Sequence, residues 1–286
     1  MSKTAFLGLG RMGQQMAGRV LAAGHDLTVW DPLPERSRPL ADQGAGVAVG
    51  PAAAVAGAEF VISMLADPPA LEAVFFEPGL AAAALEPGAV VVEMSTVGPG
   101  AVATLARGVG PGVVVVDAPV LGSLPEAASG QLTIMVGAAP ADFERVAPLL
   151  AAMGTARRVG GPGCGAALKL AVNLSLGGVI TALGEAMSLA TALGVEAAVA
   201  ADVLGGSPWG ALLRSRRGMI ESGTFPPQLR LGLAVKDLGL IRAAAKGAGL
   251  SAPVAKAAHW WLEAAQRTYG PDVDFAAVVA EIMRRP

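Results

Sequence analysis

The stretch Thr4-Ala5-Phe6-Leu7-Gly8-Leu9-Gly10-Arg11-Met12-Gly13-Gln14 decides the fold of this chain. An apolar run leads into three glycines spaced G-x-G-x-x-G, and a helix-like segment follows from Gln14 to Ala23. Strand, glycine turn and helix in that order are the context in which this spacing binds a dinucleotide. Gly8 makes the tight turn, Gly10 lets backbone approach a pyrophosphate, and Gly13 lets the helix pack close to the strand. The unpaired N–H groups of the new helix then face the phosphates. A second strand, Asp26-Leu27-Thr28-Val29-Trp30, ends in Asp31, at the distance expected of the acid that binds the adenosine ribose hydroxyls.

Outward from this unit, short β-branched runs alternate with alanine-rich helical stretches. Strands are predicted near 3–8, 26–31, 59–64, 90–94, 113–117 and 132–137. Val113-Val114-Val115-Val116 is continuously apolar, as a parallel strand covered on both faces must be. The pattern predicts an α/β, Rossmann-type doubly wound parallel sheet, with residues 1–160 as the dinucleotide-binding domain. Gly160-Gly161-Pro162-Gly163 closes it, and helices are predicted near 164–193, 196–205, 231–247, 252–268 and 274–284. Residues 161–286 therefore read as an all-helical domain for substrate binding and oligomerisation, joined to the first by one long helix.

Composition narrows the ligand. Net charge is −2 and charged residues make up 15%, which gives no basic surface for nucleic acid and leaves a small molecule as the expected partner. No uncharged apolar run reaches the roughly 18 residues of a membrane span. The longest candidate, Leu170 to Gly184, contains Asn173 and Ser175 and reads as a buried helix. One cysteine, Cys164, excludes an intrachain disulfide and fits a reducing cytoplasm. Two histidines and that cysteine have no metal-ligand spacing, so no zinc site is expected. The helix from Cys164 is apolar nearly all round, with Gly177, Gly178 and Gly184 admitting close neighbours. One small domain is too little to cover it, which points to a homo-oligomer, dimer or tetramer.

Reacting groups of such a sheet come from the carboxyl ends of its strands. Three ends carry polar residues: Met64-Leu65-Ala66-Asp67, Glu93-Met94-Ser95-Thr96-Val97, and Asp117-Ala118-Pro119-Val120-Leu121-Gly122-Ser123. The hydroxyls of Ser95, Thr96 and Ser123 suit either ligand contact or a helix N-cap. On the long helix, Lys169 and Asn173 stand four apart and so share a face. Desolvation lowers the pKa of an ammonium, which suits a lysine in such a place to proton transfer. The alternative is a lysine that snorkels to water. Lys236-Asp237 sits in a further apolar stretch, as a buried ion pair or as a solvated turn.

Together these residues resemble the β-hydroxyacid dehydrogenases, the family of 3-hydroxyisobutyrate dehydrogenase, tartronate semialdehyde reductase and glyoxylate or succinic semialdehyde reductase. The resemblance runs from Phe6 to about Leu240. It rests on Gly8 to Gly13, Ser95-Thr96-Val97, Asp117-Ala118-Pro119-Val120, Gly163-Cys164-Gly165 with Lys169 and Asn173, and Lys236-Asp237-Leu238. It implies a helical C-terminal domain like that of 6-phosphogluconate dehydrogenase. It also implies Lys169 as general acid in reduction and base in oxidation, with Asn173 positioning substrate. Leu65 and Thr96 then contact the cofactor, with Lys236 at its nicotinamide end. Imine reductases, which share the layout, and a non-catalytic cofactor-binding scaffold are the alternatives.

The chain departs from the family in one place. Where relatives have Ser-Gly-Gly after Ala-Pro-Val, it has Leu121-Gly122-Ser123. Leucine cannot donate a hydrogen bond, so a substrate carboxylate must turn to Ser123 or the Gly122 amide, or the substrate is larger and less polar. Trp209 and Met219 are candidate lining residues for such a substrate. For the cofactor, Asp31 favours NAD by repelling a 2′-phosphate, while Arg36 and Arg38 just beyond it leave NADP open.

Overall fold

A computed structural model describes residues 2–77 and 80–285 of the chain. It divides into two compact units, Met1–Lys169 and Leu170–Pro286.

The first unit runs β1 (Lys3–Leu7), α1 (Arg11–Ala22), β2 (Asp26–Trp30), α2 (Arg38–Ala41), β3 (Gly46–Val47), α3 (Pro51–Val55), β4 (Phe60–Ser63), α4 (Pro68–Phe75), α5 (Ala81–Ala84), β5 (Val90–Glu93), α6 (Gly98–Gly108), β6 (Val114–Asp117), β7 (Val120–Leu121), α7 (Leu124–Ser129), β8 (Leu132–Gly137), α8 (Pro140–Leu150) and β9 (Gly154–Gly160). The strands form one sheet in the order β3-β2-β1-β4-β5-β6-β8-β7, with β9 on β8. Its first six members are parallel, and the order reverses between β1 and β4. That reversal opens the crevice in which such sheets bind their ligands. Side chains alternate between two cores. Phe6, Val90 and Val92 enter the one beneath α1, α7 and α8, while Ala5, Leu7 and Val91 enter the one beneath α3, α4 and α6. Because both faces are covered, these strands show no polar alternation in sequence.

The six predicted strands are present as β1, β2, β4, β5, β6 and β8, and one edge is mixed instead of parallel. β8 runs antiparallel to β6 and β7, and β9 pairs parallel with β8. β9, with the sequence Gly-Thr-Ala-Arg-Arg-Val-Gly, was not anticipated; as an edge strand it has no buried residue and carries two arginines. β3 and β7 have two residues each, too short for a periodic signal.

The long helix α9 (Cys164–Ala192) crosses the division between units. The second unit continues with α10 (Ala197–Gly206), α11 (Ala211–Ser222), α12 (Leu231–Gly247), α13 (Pro253–Tyr269) and α14 (Ala277–Arg284). Its core gathers Ile180, Leu183, Leu238, Leu262, Phe275 and Val279. The glycines of α9 act as expected of a close-packed helix: Gly177 faces Leu238, Gly178 faces Val254, and Gly184 faces Ile282. By length and composition alone α9 would also pass for a membrane span. Those glycine contacts mark it as the core helix of its unit. Its far end is open, with Leu189 62% exposed and Leu193 beyond it 76% exposed. The helix α11, also unanticipated, carries three arginines in Leu212-Leu213-Arg214-Ser215-Arg216-Arg217. The fully buried Asp274 anchors this region, accepting from Arg216 Nε at 3.2 Å and from the amides of Gln228, Leu229 and Ala276.

Candidate active site

The glycine turn joins β1 to α1 at the point where the sheet order reverses. Gly8 has φ +96°, a conformation that favours glycine, and its N–H donates to the carbonyl of Trp30 at 2.9 Å. A Cβ on Gly13 would press into the carbonyl oxygen of Gly8, so helix and turn touch backbone to backbone. Gly10 is different. It sits at φ −62° as the N-cap of α1, and nothing lies within 4 Å of the place a Cβ would occupy. The first turn of α1 holds no acidic residue. Open space beside Gly10 and a helix start without side-chain competition fit a diphosphate.

Asp31 is buried and holds this cradle together. Its Oδ2 accepts from the Leu9 amide at 2.7 Å, and its Oδ1 accepts from the Leu33 amide at 2.9 Å. Arg36 Nη1 lies 3.4 Å from the same Oδ1. The acid chosen for ribose recognition thus also ties the glycine turn to the loop after β2.

The ends of β4 and β5 are stapled by a second buried carboxylate. Glu93 accepts from the hydroxyl of Ser63 and, through Oε1, from the Ser95 amide at 2.7 Å. The Ser95 hydroxyl accepts from the Leu65 amide at 2.7 Å. Ser95 is buried and used within the protein, whereas Thr96 is half-buried. Leu65 reaches toward Gly8, with Cδ2 2.8 Å from where a Cβ there would stand.

At the third strand end Leu121 is 46% exposed. The hydroxyl and amide of Ser123 both donate to Glu126 Oε2, at 2.5 and 2.7 Å, in a capping box at the start of α7. The hydroxyl of Ser123 is the first cause holding the Glu126 carboxyl below its ordinary range. With both its donors engaged, Ser123 has none for a substrate carboxylate while the box stands. Gly122 sits at φ +140°, and a Cβ there would crowd Leu132.

Asp117 closes β6 and is fully buried. Its Oδ1 accepts from the Gly163 amide and its Oδ2 from the Ala166 amide, each at 2.7 Å. Burial pushes its carboxyl up from the ordinary value, and the N–H groups of Ala166 and Gly163 oppose that rise.

In the second unit, Asn173 Nδ2 donates to Asp237 Oδ2 at 2.6 Å. Lys236 Nζ stands 2.9 Å from Asp237 Oδ1. That oxygen is buried and takes no hydrogen bond of good angle, so the contact is Coulombic and not directional. Lys236-Asp237 is therefore a partly buried ion pair, and it fixes the amide of Asn173. Lys169 is half-buried, four residues before Asn173 on the same helix α9. Trp209 is 62% exposed, and Met219 packs against Phe225, Ala276 and Ala277. The sequence alone assigned no partner to Asp117 or Glu93, and for Asp237 it offered Lys236 but not Asn173. The signal available was an acid closing an apolar run, as in Val114-Val115-Val116-Asp117.

Comparison with known proteins agrees with this fold. Residues 3–164 match the NAD binding domain of 6-phosphogluconate dehydrogenase, and residues 163–282 match the family described as NAD-binding of NADP-dependent 3-hydroxyisobutyrate dehydrogenase. Glyoxylate/succinic semialdehyde reductase 1 of Arabidopsis thaliana is 30% identical over 283 residues, 98% of each chain. NAD-dependent L-serine dehydrogenase of Pseudomonas aeruginosa is 35% identical over 268 residues, 89% of each. The solved 3-hydroxyisobutyrate dehydrogenase of Mycobacterium tuberculosis with L-serine aligns over 100% of both chains, at a TM-score of 0.88 and 29% identity. Fold, glycine cradle and matches define an oxidoreductase that works with a nicotinamide dinucleotide. Within that class, the chain belongs to the β-hydroxyacid dehydrogenase family.

Proposed function

We propose that the chain interconverts a small β-hydroxy acid and its semialdehyde or keto form, with NAD as the preferred cofactor and Lys169 as the proton donor and acceptor. The bound nicotinamide supplies or takes up the hydride at the carbonyl carbon. Gly8, Leu9, Gly10, Arg11, Met12 and Gly13 hold the diphosphate, Asp31 the ribose, and Leu65, Thr96 and Lys236 the remainder of the cofactor. Asn173, its amide held by Asp237, orients the substrate oxygen. As negative charge develops on that oxygen, an N–H bond of the Lys169 ammonium breaks and an O–H bond forms. The lysine is left neutral and regains a proton from water, and oxidation runs the same steps in reverse. Such proton transfer contributes on the order of 10²–10⁴-fold in rate. Residues 1–160 serve the cofactor and 161–286 the substrate and the assembly.

The observation that carries this reading is the pairing of Lys169 with Asn173 four residues on along one helix, in a chain of this family. Leu121, together with the engagement of Ser123 by Glu126, supports a substrate whose acid end is held by backbone, or one larger and less polar than 3-hydroxyisobutyrate. The backbone of Gly122 completes the surface offered to it, and Ser95, engaged by Leu65 and Glu93, supports that surface from beneath. A panel of semialdehydes, glyoxylate, L-serine and cyclic imines, assayed with each cofactor, tests the assignment. Turnover of carbonyl and hydroxy-acid substrates is expected, with kcat/KM at least about tenfold higher for NADH than NADPH, because a carboxylate at ribose distance repels a phosphate. Faster turnover of imines would replace the carbonyl reading. Tight cofactor binding without any turnover would indicate a scaffold, and a strong NADPH preference would reverse the role given to Asp31.

The chain is also taken to be a homo-oligomer, because Leu189 and Leu193 lie open at the end of α9 with Val203 of α10 exposed as well. Sedimentation at micromolar concentration is expected to give at least twice the chain mass; a monomer there refutes it.

A further inference from the structure

Asp117 is an ionisable group placed where a residue without a charge would cost less. Burying a carboxylate carries a penalty of several kcal/mol unless its oxygens are well paired. A helix start is ordinarily capped by the serine, threonine, aspartate or asparagine that immediately precedes it. Here the first N–H groups of α9, which have no partner within the helix, are met by an acid from the interior of the sheet.

The surroundings are shaped around that contact. Gly163 has φ +87°, which favours glycine and turns its N–H toward Oδ1. A Cβ on Gly165 would stand 2.9 Å from Asp117 Oδ2, and one on Gly137 would overlap the carboxylate. Two bonds of 2.7 Å, one to each oxygen, grip the chain at residues three apart. A single cap leaves a helix free to pivot about the bond, whereas two grips fix both its advance and its rotation. Lys169 follows Ala166 by three residues, less than one turn, so its position is inherited almost directly from the clamp.

We infer that Asp117 is a positioning residue for Lys169, clamping the first turn of α9 so that the lysine ammonium is held at its working place, and that it affects turnover through that lysine alone. The inference rests on the role proposed for Lys169. A misplacement of about 1 Å can lower a rate by roughly 10²-fold, so a clamp of this kind is felt in kcat before it is felt in binding.

The test is a double-mutant cycle on the full chain. In Asp117→Asn, one oxygen becomes an NH₂ donor facing a backbone N–H, so one grip is lost with little change of shape. Its kcat is expected to fall about 10- to 100-fold while the NADH dissociation constant stays within about twofold. In the Lys169→Ala background, Asp117→Asn is expected to lower the residual rate no further. An equal loss in both backgrounds, a parallel loss of NADH affinity, or an unchanged kcat overturns the clamp. Near-normal turnover of Lys169→Ala alone would instead defeat the lysine reading on which the clamp depends. If Asp117→Asn does not fold, hydrogen exchange on the unmodified protein decides. The amides of Gly163 and Ala166 are expected to be as protected as those within β6, and fast exchange there removes the clamp.

Discussion

Lys169→Ala is expected to lower kcat by at least about 10²–10⁴-fold while NADH binds with nearly its original affinity. Reduction of a carbonyl leaves charge on oxygen, and an ammonium that delivers a proton removes it as it forms. Methyl in place of the aminobutyl chain offers no proton, and water must take over from a worse position. The groups proposed to grip the cofactor lie elsewhere, in the turn after β1, at the ends of β2, β4 and β5, and at Lys236 of α12. Stopped-flow hydride transfer and NADH titration by fluorescence separate the two effects. Proportionate loss of rate and affinity would make this lysine a cofactor ligand or a packing element.

The second large effect distinguishes two glycines that the sequence motif treats alike. Gly10→Ala is expected to fold with its stability within about 0.5 kcal/mol of the parent, since its φ of −62° suits alanine and the added methyl meets nothing. The same methyl occupies the space a diphosphate would need, so NADH affinity is expected to drop at least about tenfold. Gly13→Ala places its methyl against the carbonyl of Gly8, where relief requires moving α1 off the turn. Its unfolding free energy is expected to fall by about 1–3 kcal/mol. Thermal melts read beside NADH titrations check both variants. Undiminished binding by Gly10→Ala would mean that the cofactor does not pass over this turn.

How much of this was legible in the chain varies by physical cause. The strand, glycine turn and helix at the start were readable because each is set by neighbours in sequence. The span predicted at 231–247 coincides with α12 because its apolar repeat begins after Pro226-Pro227 and runs unbroken. β9 was missed because an exposed edge strand needs no apolar stripe, and α11 because its arginines and serines blur the repeat. The glycine cradle was legible for the same local reason. The partners of Asp117 and Asn173 were not, since they lie 46 to 64 positions away in the chain. A lone sequence shows that an acid ends a strand, but not which amides the fold brings to it. The engagement of Ser123 by Glu126 is a local matter, since Ser123-Leu124-Pro125-Glu126 has the spacing of a capping box, and the N-cap alternative for Ser123 is the one the fold adopts.

Asp31 sets a constraint on redesign. Because the same carboxylate that would discriminate between the two nicotinamide dinucleotides also accepts the Leu9 and Leu33 amides, exchanging it to admit a phosphorylated ribose would loosen the glycine turn after β1. A switch of coenzyme in this scaffold is better sought at Arg36 and its loop, where positive charge can be added while the anchor stays in place.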